Sequence, residues 1–132
     1  MRSLARALLL VLSMVLLPSA AFAHASLIGS DPPDGALVMR APDAVTLTFN
    51  EPVAPLTIRI VNASGAATAI TDIRRDGAQL ILTPPAMPGE GARVVSWRVM
   101  SADGHPVGGS LTFWIGQRGD AAPQTVRSED KI

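Results

Sequence analysis

The sequence predicts a small all-β fold, an antiparallel sandwich or barrel of about seven short strands, on three observations. Apolar residues alternate with polar ones in several short runs, the period of a half-buried strand. Clusters of Gly, Pro, Asp and Asn punctuate the chain roughly every eight to twelve residues. No segment after residue 23 carries a helical period of any length.

Residues 1–23 read as a cleavable secretory signal. Arg2 and Arg6 supply the basic start, Ala7 to Leu17 is an apolar run too short to span a bilayer, and Ala21-Phe22-Ala23 fits the small-residue cleavage pattern. Cleavage after Ala23 makes His24 the first residue of a soluble, exported protein. The 109 residues that follow Ala23 suffice for one compact domain, expected over residues 24–116.

Within that domain, Asp31-Pro32-Pro33-Asp34-Gly35 is a turn cluster. Residues 44–50 then place Val45, Leu47 and Phe49 on one side and Thr46 and Thr48 on the other. After Glu51-Pro52, residues 56–62 alternate through Leu56, Ile58 and Ile60, and Ala63-Ser64-Gly65 turns the chain back. Residues 67–73 and 79–83 are shorter strands flanking Asp76-Gly77, a hairpin dipeptide. The three prolines and two glycines of residues 84–91 exclude helix and most sheet pairing. Residues 92–101 form a long strand anchored by Trp97, residues 101–109 a loop, and residues 111–115 a last strand closed by Gly116. Residues 117–132, polar and aperiodic, read as a disordered tail.

Composition narrows the function. Without Arg2 and Arg6 the chain has nine basic against eleven acidic side chains, which argues against nucleic acid or an anionic membrane as partner. There is no cysteine, so neither disulfides nor thiolate metal sites are available, and stability rests on the apolar core.

The metal-capable chemistry gathers at two places. His24 and His105 are the only histidines, and Asp103 stands two residues before His105, so an extended backbone projects both side chains to one side. A mature N-terminal histidine offers its α-amine and ring Nδ1 as a chelating pair. With His105 and Asp103 the set becomes three nitrogens and one oxygen, a tetragonal arrangement that favours Cu(II). Zinc, taking the same donors tetrahedrally, is the main competitor. Met39, Met87 and Met100 lie far apart without Met-x-x-Met spacing, which argues against a Cu(I) site. Plainer readings stand beside this one: Asp103-Gly104 alone signals a turn, and a turn histidine is commonly a solvated surface residue. Glu51 reads as a loop carboxylate or as a further residue of the metal site. Trp97 and Trp114 read as packing residues.

Three segments carry a family resemblance. His24-Ala25-Ser26-Leu27 with residues 30–36, residues 45–53 from Val45 to Val53, and residues 97–110 with Ala102-Asp103-Gly104-His105-Pro106 and Phe113 resemble the CopC family of periplasmic copper-resistance proteins. The resemblance runs from His24 to about Gly116. It implies a cupredoxin-like, Ig-like Greek-key β-sandwich that binds one Cu(II) per chain through the amine and ring of His24 plus Asp103 and His105. Glu51 matches a carboxylate position near the cupric site. The chain lacks the methionine-rich Cu(I) loop of two-site members and so resembles the Cu(II)-only type. The resemblance also implies a CopD-type inner-membrane copper transport protein as partner. The expected function is a non-catalytic Cu(II) carrier or buffer for copper resistance, homeostasis or delivery to a membrane importer. A histidine-brace copper monooxygenase and an Ig-like interaction module with an incidental metal site are the alternatives. Two features weigh against the monooxygenase: Asp103 fills the position oxygen needs, and the chain has no tyrosine.

Overall fold

A computed structural model describes residues 2–15 and 24–119. The expected cleavage segment up to Ala23 and the expected tail beyond residue 119 lie outside the described residues. Helix α1, Arg2–Val15, covers much of the apolar run that opens the chain. At about 1.5 Å per residue it is some 21 Å long. Among the described residues no helix is long and apolar enough to cross a membrane.

Among the described residues the domain has nine strands: β1 Leu27–Asp31, β2 Leu37–Val38, β3 Val45–Phe49, β4 Ala54–Val61, β5 Ala67–Ala69, β6 Asp72–Asp76, β7 Gln79–Thr83, β8 Gly91–Met100 and β9 Pro106–Ile115. They form two sheets, β1-β3-β7-β6 and β2-β9-β8-β4-β5, antiparallel throughout except for the short parallel pair of β2 with β9. The chain passes between the sheets at five connections, so strands adjacent in sequence often lie in different layers.

The core fills the space between the layers. Val45, Leu47 and Phe49 of β3 and Leu80 and Leu82 of β7 face Ile58, Ile60, Val95, Trp97, Val99, Leu111 and Phe113 of the other sheet, all buried. Each such side chain contributes about 1.5–3 kcal/mol on leaving water, which is what holds a disulfide-free domain together. The Trp97 indole lies over Gly109 of the neighbouring strand: a Cβ there would come within 2.6 Å of the ring. Phe49 meets the same indole edge-on, with centroids 6.4 Å apart.

Four details differ from the sequence reading. Residues 67–73 are not one strand: Ala67–Ala69 pairs with β4, whereas Asp72 and Ile73 belong to β6 in the other sheet. Ile70 marks the crossing, buried between the layers with its N–H donating to the Ile58 carbonyl at 2.9 Å. The last strand begins at Pro106, not after Gly109, because β8 and β9 pair continuously from Gly91↔Ile115 to Met100↔Pro106. β1 was not recognised because its burial does not alternate and its pairing with β3 shifts register between Leu27 and Gly29. β2, two residues long, has no period to read.

Candidate metal centre

The continuous β8–β9 ladder leaves five residues, Ser101 to His105, to close the hairpin. The closure is a compact turn, not the extended segment that spacing alone suggests. The Ser101 N–H donates to the His105 carbonyl at 3.0 Å, and the Gly104 N–H donates to the Ser101 carbonyl at 3.0 Å. Gly104 takes a φ of +83°, a left-handed conformation that glycine adopts without a Cβ clash. Asp103 and His105 therefore converge through a turn, with Asp103 Oδ1 accepting the His105 N–H at 3.1 Å in the manner of an Asx turn.

Ser101, almost fully buried, stands at the base of this turn. Its hydroxyl lies against two acceptors, Asp103 Oδ1 and the His105 carbonyl, the latter at 2.7 Å. The two carboxylate oxygens of Asp103 are thereby divided in role. Oδ1 is taken up by the turn, while Oδ2 faces both imidazoles, 3.1 Å from His105 Nδ1 and 3.5 Å from His24 Nδ1. The Ser101 hydroxyl first, and then the His105 side chain and N–H, hold the Asp103 carboxyl well below the usual carboxylate range.

His24 reaches the turn from the far end of the domain sequence. The Ala25 side chain is buried in the core, and the Asn50 N–H donates to the Ser26 carbonyl at 3.0 Å. The Asn50 side chain adds two bonds: Oδ1 accepts the Ser26 N–H at 2.7 Å, and Nδ2 donates to the His24 carbonyl at 3.4 Å. The imidazoles of His24 and His105 then stand edge-to-face, centroids 5.7 Å apart.

Among the described residues, His24, Asp103 and His105 form a group of three metal-capable side chains whose donor atoms lie within 4.8 Å of one another. Donors held about 2 Å from a single ion sit roughly 3–3.4 Å apart for square or tetrahedral angles. The observed 3.1 and 3.5 Å fit that requirement with little adjustment. The side chains are 54%, 33% and 65% exposed in chain order, so an ion has direct access from solvent.

The three expected residues are thus brought together. Glu51 is not among the clustered donors; its Oε1 accepts the Ala102 N–H at 3.2 Å and ties the turn to the end of β3. Met39 is largely exposed and Met87 packs against the core. Sequence reasoning missed Ser101 and Asn50. The serine two residues before Asp103 is a local signal for a turn acceptor, but the Asn50 bonds span 24 and 26 residues and leave no local trace.

Comparison with known proteins bears on this centre. The CopC domain family matches residues 27–116. Copper resistance protein C of Xanthomonas campestris pv. juglandis is 34% identical over 130 residues, covering 86% of this chain and 96% of that protein. Copper transport protein CutJ of Bacillus subtilis is 34% identical over 116 residues, 83% of this chain, but the match spans only 21% of that longer protein. In structure, CopC from Methylosinus trichosporium OB3b superposes with a TM-score of 0.61 at 27% identity, covering 74% of this chain and 98% of that one. PcoC of Escherichia coli, described as a methionine-rich copper resistance protein, shares the fold with a TM-score of 0.55 at 24% identity over 70% of this chain and 99% of its own.

Proposed function

The chain belongs to the CopC family, and from that premise we propose that its mature form, beginning at His24, is a periplasmic Cu(II) carrier or buffer without catalytic activity. Copper is its cargo, one ion per chain. The donors are the α-amine and Nδ1 of His24, a ring nitrogen of His105 and Asp103 Oδ2.

One observation carries the proposal. Asp103 Oδ2, the oxygen not engaged by the turn, faces the Nδ1 atoms of both histidines of the chain at 3.1 and 3.5 Å. The resulting set of three nitrogens and one oxygen matches the preference of Cu(II) for tetragonal N,O coordination. Zinc competes for the same donors, with a tetrahedral preference. The exposure of the centre suits a protein that must release its ion as well as hold it. The names of the relatives are consistent with copper resistance and copper transport. Release to a CopD-type membrane importer is the delivery route proposed here. The position of Asp103 beside both imidazoles weighs against the monooxygenase alternative, which needs that equatorial position open for oxygen.

Electron paramagnetic resonance of the mature protein loaded with one equivalent of Cu(II) tests the reading. A tetragonal signal with three-nitrogen, one-oxygen character is expected, altered in both Asp103→Ala and His105→Ala. Signals in both variants identical to the parent's would overturn it.

A further inference from the structure

Half of the centre sits on a ten-residue-strand hairpin and the other half on a segment that ends the domain. The hairpin turn is held by five hydrogen-bond donors: the N–H groups of Ser101, Ala102, Gly104 and His105 and the Ser101 hydroxyl. The segment carrying His24 has no strand partner until Leu27 pairs with Phe49, so its position depends on what holds residues 24–26.

The features that hold it include the buried Ala25 side chain, the Asn50 N–H on the Ser26 carbonyl, the Ser26 hydroxyl on the His24 carbonyl, the His24 ring beside Asp103 and His105, and the Asn50 side chain. The last bonds both Ser26 and His24, on either side of Ala25, from the end of β3. Its Oδ1 accepts from Ser26 and its Nδ2 donates to the carbonyl of His24 itself, which fixes the peptide plane next to the ring-bearing carbon. An amine–Nδ1 chelate on His24 leaves that carbonyl free of the metal, so the Nδ2 bond is compatible with the loaded state. The neighbouring Glu51 meanwhile holds Ala102 of the opposite half. Two consecutive side chains at the end of β3 thus grip the two halves of the centre.

We infer that Asn50 is a positioning residue of the centre: its carboxamide presents His24 to Asp103 and His105 before the metal arrives. The inference rests on the copper reading proposed above. Without the carboxamide the ordering of the His24 segment is deferred to the moment of binding, which lowers affinity while leaving the donor atoms available. Residues that orient metal ligands typically contribute 10–100-fold in metal affinity.

The test uses the mature protein, its Asn50→Ala and Asn50→Asp variants, and Cu(II) itself, with affinity measured by competition against a chelator. Asn50 is exposed, so truncation leaves the core as it is, and thermal denaturation of the metal-free forms verifies this. Asn50→Ala is expected to bind Cu(II) about 10–100-fold more weakly, with faster hydrogen exchange at the Ser26 amide. Asn50→Asp keeps the acceptor for that amide and is expected to retain its protection and to bind more tightly than Asn50→Ala. Parent-like affinity in Asn50→Ala, whether or not its thermal stability falls, would overturn the inference while leaving the copper reading intact. A parent protein whose Cu(II) signal is unchanged by Asp103→Ala and His105→Ala would overturn the copper reading, and this inference with it.

Discussion

Asp103 concentrates the chemistry of the centre in two oxygen atoms with separate tasks. Oδ1 accepts from Ser101 and from the His105 N–H, and Oδ2 faces the imidazoles. Because the acceptor bonds favour the ionised form, the carboxyl is held below its ordinary value of about 4. The sign follows: the contribution of a depressed carboxyl is complete above its ordinary value and is lost only as pH falls through the depressed one. Asp103 therefore stays anionic across mildly acidic conditions, and on the copper reading its proton takes no part in the pH dependence of binding there. Asp103→Asn is accordingly expected to weaken Cu(II) binding by the same factor at every pH in that range, leaving the slope of log affinity against pH unchanged. A competition titration over about pH 4–8 checks this; a shallower slope in the variant would show that the Asp103 proton takes part.

The identities of His24, Asp103 and His105 were legible because they are rare or closely spaced residue types with few other roles. What the spacing concealed was the means of convergence. Asp103 and His105 meet through a glycine-dependent turn, and Ser101 and Asn50 matter through bonds to backbone atoms, which any residue type presents alike.

At the scale of the element, β8 and β9 form the platform that carries the turn, and Trp97 sets their packing. Its indole occupies the space above Gly109, and Phe49 closes on its edge. Gly109→Ala forces the ring to move from a well-packed layer and is expected to cost about 1–3 kcal/mol, measured by denaturant unfolding of the metal-free protein. An unchanged midpoint would mean that the ring moves freely. The alternation of β3, of β4 at Ile58 and Ile60 and of β8 from Val95 to Val99 was readable because each has one face in the core and one outside. Leu56, expected on the same face as Ile58, is instead exposed where the β4–β8 register shifts between Pro55 and Thr57. Gly108 and Gly109 hid the first half of β9, since glycine ordinarily weakens a strand, and here its missing side chain is what admits Trp97. The division of residues 67–73 was hidden because Ala67, Thr68 and Ala69 are all exposed on an edge strand, where no apolar period marks the point at which the chain changes sheet.

For the whole molecule, the metal centre and the main buried charge lie at opposite ends of β8. Arg93, only 2% exposed, spends its guanidinium on carbonyls: Ala92 at 3.0 Å, Gly89 at 2.8 Å, Met87 at 3.3 Å and Gly91 at 3.5 Å. It thereby fixes the proline- and glycine-rich connection between β7 and β8 at the pole away from His105. Replacing it leaves one buried and three part-buried carbonyls without this donor, so Arg93→Met is expected to lose about 1–3 kcal/mol of stability. Its Cu(II) spectrum is expected to match the parent's, and a changed spectrum would show that the two poles are coupled. The sandwich itself was predictable from turn spacing and alternation. Its two sheets of four and five strands were not, because sheet membership is decided by pairings such as β1 with β3 and β2 with β9, remote in sequence.

The central claim is that the centre becomes complete only when His24 is the first residue. It is tested most directly by comparing two forms of the protein, one beginning at His24 and one retaining Ala23, by Cu(II) affinity together with the nitrogen character of the resonance spectrum. The account predicts that the form retaining Ala23 loses the amine donor and binds more than about 100-fold more weakly, beyond the 10–100-fold typical of residues that only orient ligands. Equal affinity and an identical spectrum in the two forms would contradict it.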